Sequence, residues 1–247
     1  MKLRDNIKDR ILILDGAMGT MIQGYNLTEK DFRGELELLQ MLNYQGNNDM
    51  LNLSRPDIIE DIHRRYLEAG ADIISTNTFS AQRVSQADYH MESFSRDIAF
   101  AGAKLARKCA DEYSTADKPR FIAGSIGPTN KTCSMSPDVS DPAKRDLTYD
   151  ALFDAYSEQV AAMIEGGIDA VLIETIFDTL NAKVAIDASL SEMKKAGVNL
   201  PIMISVTITD LSGRTLSGQT LDAFIASVSS YPIFSIGLNC SFGAEQM

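Results

Sequence analysis

Short apolar runs of strand length recur along the chain. Between them lie segments in which apolar residues return every three or four positions. The strand-length runs are ILILDG (11–16), ADIISTNTF (71–79), RFIAGSIGP (120–128), DAVLIETIFD (169–178), PIMISVTITD (201–210) and IFSIGLNC (233–240). Each is rich in Ile, Val, Leu or Thr and is stopped by Gly, Pro, Asp or Asn, as strands are. The helix-period segments are PDIIEDIHRRYLEAG (56–70), SFSRDIAFAGAKLARKCADEY (93–113), YDALFDAYSEQVAAMIEGG (149–167), DTLNAKVAIDASLSEMKKAG (178–197) and LDAFIASVSSY (221–231). Gly70, Gly166 and Gly197 stand where a helix end favours left-handed backbone. Strands alternating with helices in this way predict an α/β fold with a parallel sheet.

A doubly wound open sheet usually carries a GxGxxG turn after its first strand, and the turn here reads DGAMGT. The spacing and the polar strand ends suit a (β/α)8 TIM-type barrel better. The six strand-length runs would supply about six of its eight β/α units, in one barrel domain over residues 1–247. Polar chemistry in such a barrel collects at the C-terminal ends of the strands. Those ends carry Asp15 and Gly16, Asn77, Gly124 and Ser125, Glu174, Thr207 and Thr209, and Cys240. Each has a plain structural role open to it. Asp-Gly makes turns, Asn77 can cap the next segment, and a lone cysteine often serves as a small buried apolar group. Their common position at strand ends is what points to a site. Long polar loops after the first, third and fifth runs, containing GELELLQMLNYQGNNDMLNLSRPD, GPTNKTCSMSPDVSDPAKRD and TDLSGRTLSGQT, are of the kind that build substrate pockets or domain contacts.

Composition narrows the chemistry. At 45% hydrophobic and 23% charged residues the chain can bury a core. Its formal charge of −11 repels phosphate backbones, so no nucleic-acid partner is expected. No apolar run approaches the length of a membrane span, and MKLRDNIKDR lacks the apolar stretch of a signal peptide. A cytoplasmic location without membrane contact is therefore expected. The three cysteines, Cys109, Cys133 and Cys240, do not make a disulfide framework in a domain this size. The two histidines, His63 and His90, cannot supply a three-histidine metal site and sit near no nucleophile motif, so both are expected to be surface or packing residues.

DGAMGTMIQ, GNNDMLNLSRPDIIEDIHRRYLEAGADIISTNTF, GSIGPTNKT, SPDVSDP, IETIFDTLNAK, SGRTLSGQT and GLNC together resemble the homocysteine-binding domain of cobalamin-dependent methionine synthases, over about Ile11 to Cys240. DGAMGT and GLNC alone fit the broader homocysteine S-methyltransferase superfamily; the longer loop strings resemble the cobalamin-dependent type. The resemblance implies a methyltransferase in which zinc activates homocysteine as a thiolate that takes a methyl group from methylcobalamin, itself recharged by methyltetrahydrofolate. It implies that the 1–247 barrel domain is incomplete at its C-terminal side, and that Cys240 is one of three cysteine ligands to zinc, the other two coming from a GGCC string expected beyond Met247. It also implies that the backbone around Asp15 and Gly16 takes the homocysteine carboxylate and that Glu174 takes the ammonium, with Asn77 a weaker pocket candidate. Folate, cobalamin and reactivation domains of the same enzyme would be the partners. Two other readings stay open: a free-standing homocysteine methyltransferase with a betaine-type donor, and a barrel fragment without metal that is inactive alone. The 1–247 chain by itself is expected to be inactive.

Overall fold

The computed structural model of the chain describes residues 3–8, 10–36, 42–209 and 212–243. Among these residues five strands, β1 (Ile73–Ser75), β2 (Phe121–Ile126), β3 (Ala170–Ile176), β4 (Ile202–Val206) and β5 (Ser235–Leu238), form one sheet in sequential order. Every pairing is parallel. Among the described residues ten α-helices accompany them: α1 (Leu3–Asn6), α2 (Met18–Gln23), α3 (Glu29–Arg33), α4 (Leu51–Ser54), α5 (Pro56–Ala69), α6 (Arg83–Gln86), α7 (Ser95–Tyr113), α8 (Tyr149–Gly166), α9 (Thr179–Ala196) and α10 (Leu221–Val228). The five helix-period segments appear as α5, α7, α8, α9 and α10. Parallel strands in sequence order, with α7, α8, α9 and α10 forming the crossovers, make the wall of a TIM-type barrel.

The first expected strand is the exception. ILILDG makes only an isolated parallel bridge, Leu14 with Ile73. Ile13 accepts from the Asp72 and Ile73 N–H groups at 2.8 and 3.1 Å, and Asp15 N–H donates to Ile73 at 2.9 Å. The Asp72 carboxylate pins the segment by accepting from Arg10 at 2.7 Å and from Ile13 N–H at 2.9 Å. The run thus occupies the sixth position of the wall. It has one neighbour only, and Ile11 and Ile13 remain exposed.

Two-residue periodicity separates the faces of the sheet. Ile73, Phe121, Ala123, Ala170 and Leu172 cluster with Leu3 of α1 on one face. Ile74, Ile122, Ile126, Val171, Ile173, Ile202, Ile204 and Val206 join the helices in the larger core on the other. Two residues beyond Ile73, Ala123 and Leu172, the first face continues as Ser75, Ser125 and Glu174. One alternation therefore fills the barrel floor with apolar groups and delivers polar ones to the C-terminal rim.

Side-chain oxygens of Thr148, Asp178 and Thr220 accept first-turn N–H groups at the starts of α8, α9 and α10. Gly70, Gly167 and Gly197 end α5, α8 and α9 in left-handed backbone, at φ of 111°, 98° and 68°. The expected cap Gly166 is instead the last residue of α8: the second glycine of the pair turns the chain and the first faces α7. Residues 37–41 and 210–211 of the long loops lie outside the described residues. Among the described residues no helix is long and apolar enough to cross a membrane.

Candidate active site

Asp15, Gly16, Asn77, Glu174 and Cys240 all line one cavity of about 820 Å³ at the C-terminal rim of the strands. The alternation along β1, β2 and β3 also brings Ser75 and Ser125 to its wall. Gly124, one residue off that period, faces the helices, against Ile168 and Met163. Thr207 and Thr209 bond elsewhere: the Thr207 hydroxyl donates to the Asn239 carbonyl at 3.1 Å and that of Thr209 to the Arg214 carbonyl at 3.2 Å.

The two carboxylates are each held by a serine. Asp15 accepts from Ser75 N–H at 2.8 Å and from the Ser75 hydroxyl at 2.9 Å. Glu174 accepts from the Ser125 hydroxyl at 2.5 Å. Both are half-open to the cavity and crowded by protein on their other sides. Burial pushes the Asp15 carboxyl up to about 7 against the pull of the Ser75 hydrogen bonds, with the nearby Glu174 charge adding to the rise. Burial likewise raises Glu174. Asp49 also lines the cavity, is 5% exposed, and is raised by burial to about 7; it accepts from Ser80 N–H at 2.9 Å. Asp88 completes an acidic lining in which no Lys, Arg or His takes part among the described residues. A cationic group entering this cavity would find charge-assisted acceptors and no competing cation.

The structure shows how the groups behind three of the expected roles are engaged. The Asp15 N–H is spent on Ile73, because the ILILDG run is bridged to β1, so it is not free for a substrate carboxylate. The N–H groups of Gly16 and Ala17 have no acceptor among the described residues and remain available. The missing Cβ of Gly16 makes room for Tyr66 rather than for a ligand: a Cβ there would stand 3.0 Å from the tyrosine oxygen. Asn77 lines the cavity and caps no helix, and its side-chain N–H groups are engaged. Its amide donates to the Asn48 carbonyl at 2.9 Å and to Asn52 Oδ1 at 3.0 Å, tying the loop before α4 to the end of β1.

Cys240 is exposed, whereas Cys109 in α7 and Cys133 in the loop after β2 are buried and line no part of the cavity. Cys240 takes a left-handed backbone, φ 53°, and so does Thr175 beside it, φ 59°. Among the described residues no group of three or more His, Cys, Asp or Glu side chains comes together as a metal site. Cys240 offers one sulfur donor, and the described residues alone do not complete a zinc site. His63 is buried in α5 with both ring nitrogens unpartnered and its imidazole pushed down to about 4 by burial; His90 is on the surface. Neither lines the cavity.

Sequence reasoning passed over Ser75, Asp49, Thr175 and Asn239. Ser75 was findable, since it continues the inward period from Ile73. Asp49 and Asn239 stand inside strings that were singled out, but nothing in their spacing shows that the chain folds them onto the cavity.

A parallel barrel wall with polar side chains and a cavity at the C-terminal ends of its strands places the cavity where TIM-type enzymes keep their active sites. Residues 12–247 match the family Homocysteine S-methyltransferase, and the chain belongs to that family. It is a methyltransferase, and its reaction class is the methylation of homocysteine. The fold is similar to that of the homocysteine methyltransferase MmuM from Escherichia coli. With the metallated form the identity is 20%, covering 99% of this chain and 80% of that one, at a TM-score of 0.74. The oxidized form shares 21% identity over 96% of this chain and 76% of that one, with a TM-score of 0.72. For the apo form the values are 22%, 96%, 74% and 0.65.

Proposed function

We propose that this chain is the homocysteine-binding module of a cobalamin-dependent methionine synthase, a cytoplasmic enzyme of methionine biosynthesis. The observation that carries the reading is the convergence of Asp15, Glu174 and Cys240 on one cavity that no cationic side chain lines among the described residues. In this reading Glu174, oriented by the Ser125 hydroxyl, takes the homocysteine ammonium, and Asp15, oriented by Ser75, supports it. The unpartnered N–H groups of Gly16 and Ala17 receive the carboxylate. The substrate sulfur then lies toward Cys240. There it must lose its proton and attack a methyl carbon, forming the new S–C bond as the donor's bond to that carbon breaks. Bound zinc would supply a thiolate at neutral pH. Cys240 offers one donor to it, and further donors, like the cobalamin, folate and reactivation domains, would have to come from outside the described residues. The long strings GNNDMLNLSRPD and SGRTLSGQT support the cobalamin-dependent type.

A small betaine-type donor has one observation in its favour: the acidic lining of Asp15, Asp49, Asp88 and Glu174 suits a second cation. Supplying methylcobalamin or betaine to the intact enzyme separates the two.

Isothermal titration of homocysteine against wild type and Glu174→Gln tests the substrate assignment. Glutamine can still accept from Ser125, so the fold is kept while the charge is lost. A charge-assisted bond contributes roughly 1.5–3 kcal/mol, so affinity should fall about 10- to 150-fold. Unchanged affinity would remove Glu174 from the ammonium site.

A further inference from the structure

The strained pair at the rim is held by one side chain. Asn239 Oδ1 accepts from Thr175 N–H at 3.1 Å and from the Ser205 hydroxyl at 2.8 Å. Its Nδ2 donates to Thr175 Oγ1 at 2.9 Å and lies 3.4 Å from Cys240 Sγ. A backbone N–H can only donate, so the bond from Thr175 N–H fixes which end of the amide is oxygen and which is nitrogen. The Asn239 main chain is tied as well. Its N–H donates to the Val206 carbonyl at 3.1 Å, and its carbonyl accepts from the hydroxyls of Thr207 and Ser241 at 3.1 and 3.0 Å. One residue thus joins the ends of β3, β4 and β5.

Those bonds fall on two residues whose conformation would not persist unaided. Left-handed backbone is rare outside glycine and rarer for a β-branched residue such as Thr175. It survives only where the surroundings over-determine it. Thr175 follows Glu174 directly, and Cys240 follows Asn239 directly. The amide therefore stands between the carboxylate assigned to the substrate's ammonium and the thiol that faces its sulfur.

We propose that Asn239 is the positioning residue of the site: it holds Thr175 and Cys240 in left-handed backbone and so sets the distance between the Glu174 carboxylate and the Cys240 thiol. The substrate part of this inference rests on the homocysteine reading; the geometric part does not. Asn239 touches no reacting atom and acts through its neighbours. Its contribution is to hold both ends of the site in register before substrate arrives, so that binding does not have to order them.

The 247-residue chain with 13Cβ-labelled cysteine provides the test, because its three cysteines report separately. Cys109 and Cys133 are buried away from the cavity and serve as internal controls. Asn239→Ala removes every side-chain bond. Asn239→Asp keeps both acceptor contacts of Oδ1, loses the N–H donors to Thr175 and Cys240, and adds a carboxylate beside them, so it separates loss of the donors from loss of the whole side chain. In both variants the Cys240 carbon signal should move away from its wild-type position or broaden, with the Cys109 and Cys133 signals unmoved. Homocysteine affinity should fall by about tenfold, roughly the equivalent of one net hydrogen bond's positioning. An unmoved Cys240 signal in both variants overturns the proposal. So does a change spread equally over all three cysteines with a matching fall in melting temperature, which marks a general structural role. If wild type binds no homocysteine, the substrate part of the inference fails for this chain, and the cysteine signals still judge Asn239.

Discussion

Asp49 is buried on the cavity wall, accepts from Ser80 N–H, and has no cation beside it among the described residues. Its carboxyl lies near 7 rather than at the ordinary 3.8. Between those two pH values the unfolded chain has released this proton and the folded chain has not. Stability therefore falls as pH rises through the window, by at most about 1.4 kcal/mol per pH unit for one group, and levels off above pH ~7. Asp15 adds in the same direction. His63 acts oppositely between about 4 and 6.5, because its folded imidazole stays neutral where the unfolded one is charged. Comparing wild type with Asp49→Asn cancels both of those contributions. The variant, whose amide oxygen can still accept from Ser80, should gain stability over wild type in urea denaturation at pH 8, and the gain should shrink toward pH 4. An equal difference at all pH values would show that Asp49 titrates alike in both states. At this scale the sequence revealed the strand-end residues and their chemical types. It did not reveal which donors and acceptors are already spent. Asp15 N–H, Asn77 and the space beside Gly16 are committed by neighbours distant in sequence, and that information exists only once the chain is folded.

The helices were legible because each carries a long 3.6-residue period, and five such segments became α5, α7, α8, α9 and α10. Short elements such as α2, α4 and α6 lack the length for a period to show. The ILILDG run has the composition of a strand. It made only a bridge, because ladder formation depends on what stands beside a run as well as on the run itself. The Gly166–Gly167 pair shows a further limit. Composition marks a helix end there, but packing decides which glycine does what. Gly167 takes the left-handed cap, while Gly166 lets α8 approach α7 so closely that an added Cβ would stand 2.4 Å from Ala103 Cβ. Gly166→Ala should force the two helices apart. Overpacking of this kind costs about 1–3 kcal/mol, which outweighs the helix propensity that alanine gains over glycine, about 1 kcal/mol. Urea denaturation should show the lower midpoint with an unchanged slope. A variant as stable as wild type, or more so, would mean that the α7–α8 contact yields without cost.

At the scale of the molecule, the wall runs from the 11–15 run through β1 to β5, and each end presents strand backbone with a neighbour on one side only among the described residues. The side chains there are apolar and open: Ile11 is 83% exposed, Ile13 55% and Ile236 39%. Unpaired strand edges with apolar side chains are templates for pairing with another chain, and natural sheets usually blunt them with charge. The chain's net charge of −11 opposes such contact, and salt screens that opposition. The 247-residue chain should therefore associate as its concentration rises, and more strongly at ~0.5 M than at ~0.05 M salt, where the screening length is several-fold longer. Replacing Ile11 and Ile236 together with lysine should weaken association. Those lysines make the chain less negative, which by itself would favour contact between copies, so a fall in association isolates the edges as its cause. Sedimentation velocity over a hundredfold range of concentration can measure this. A wild-type chain that stays monomeric throughout, at both salt levels, would show that the exposed edges are protected by the twist and tilt of the wall alone.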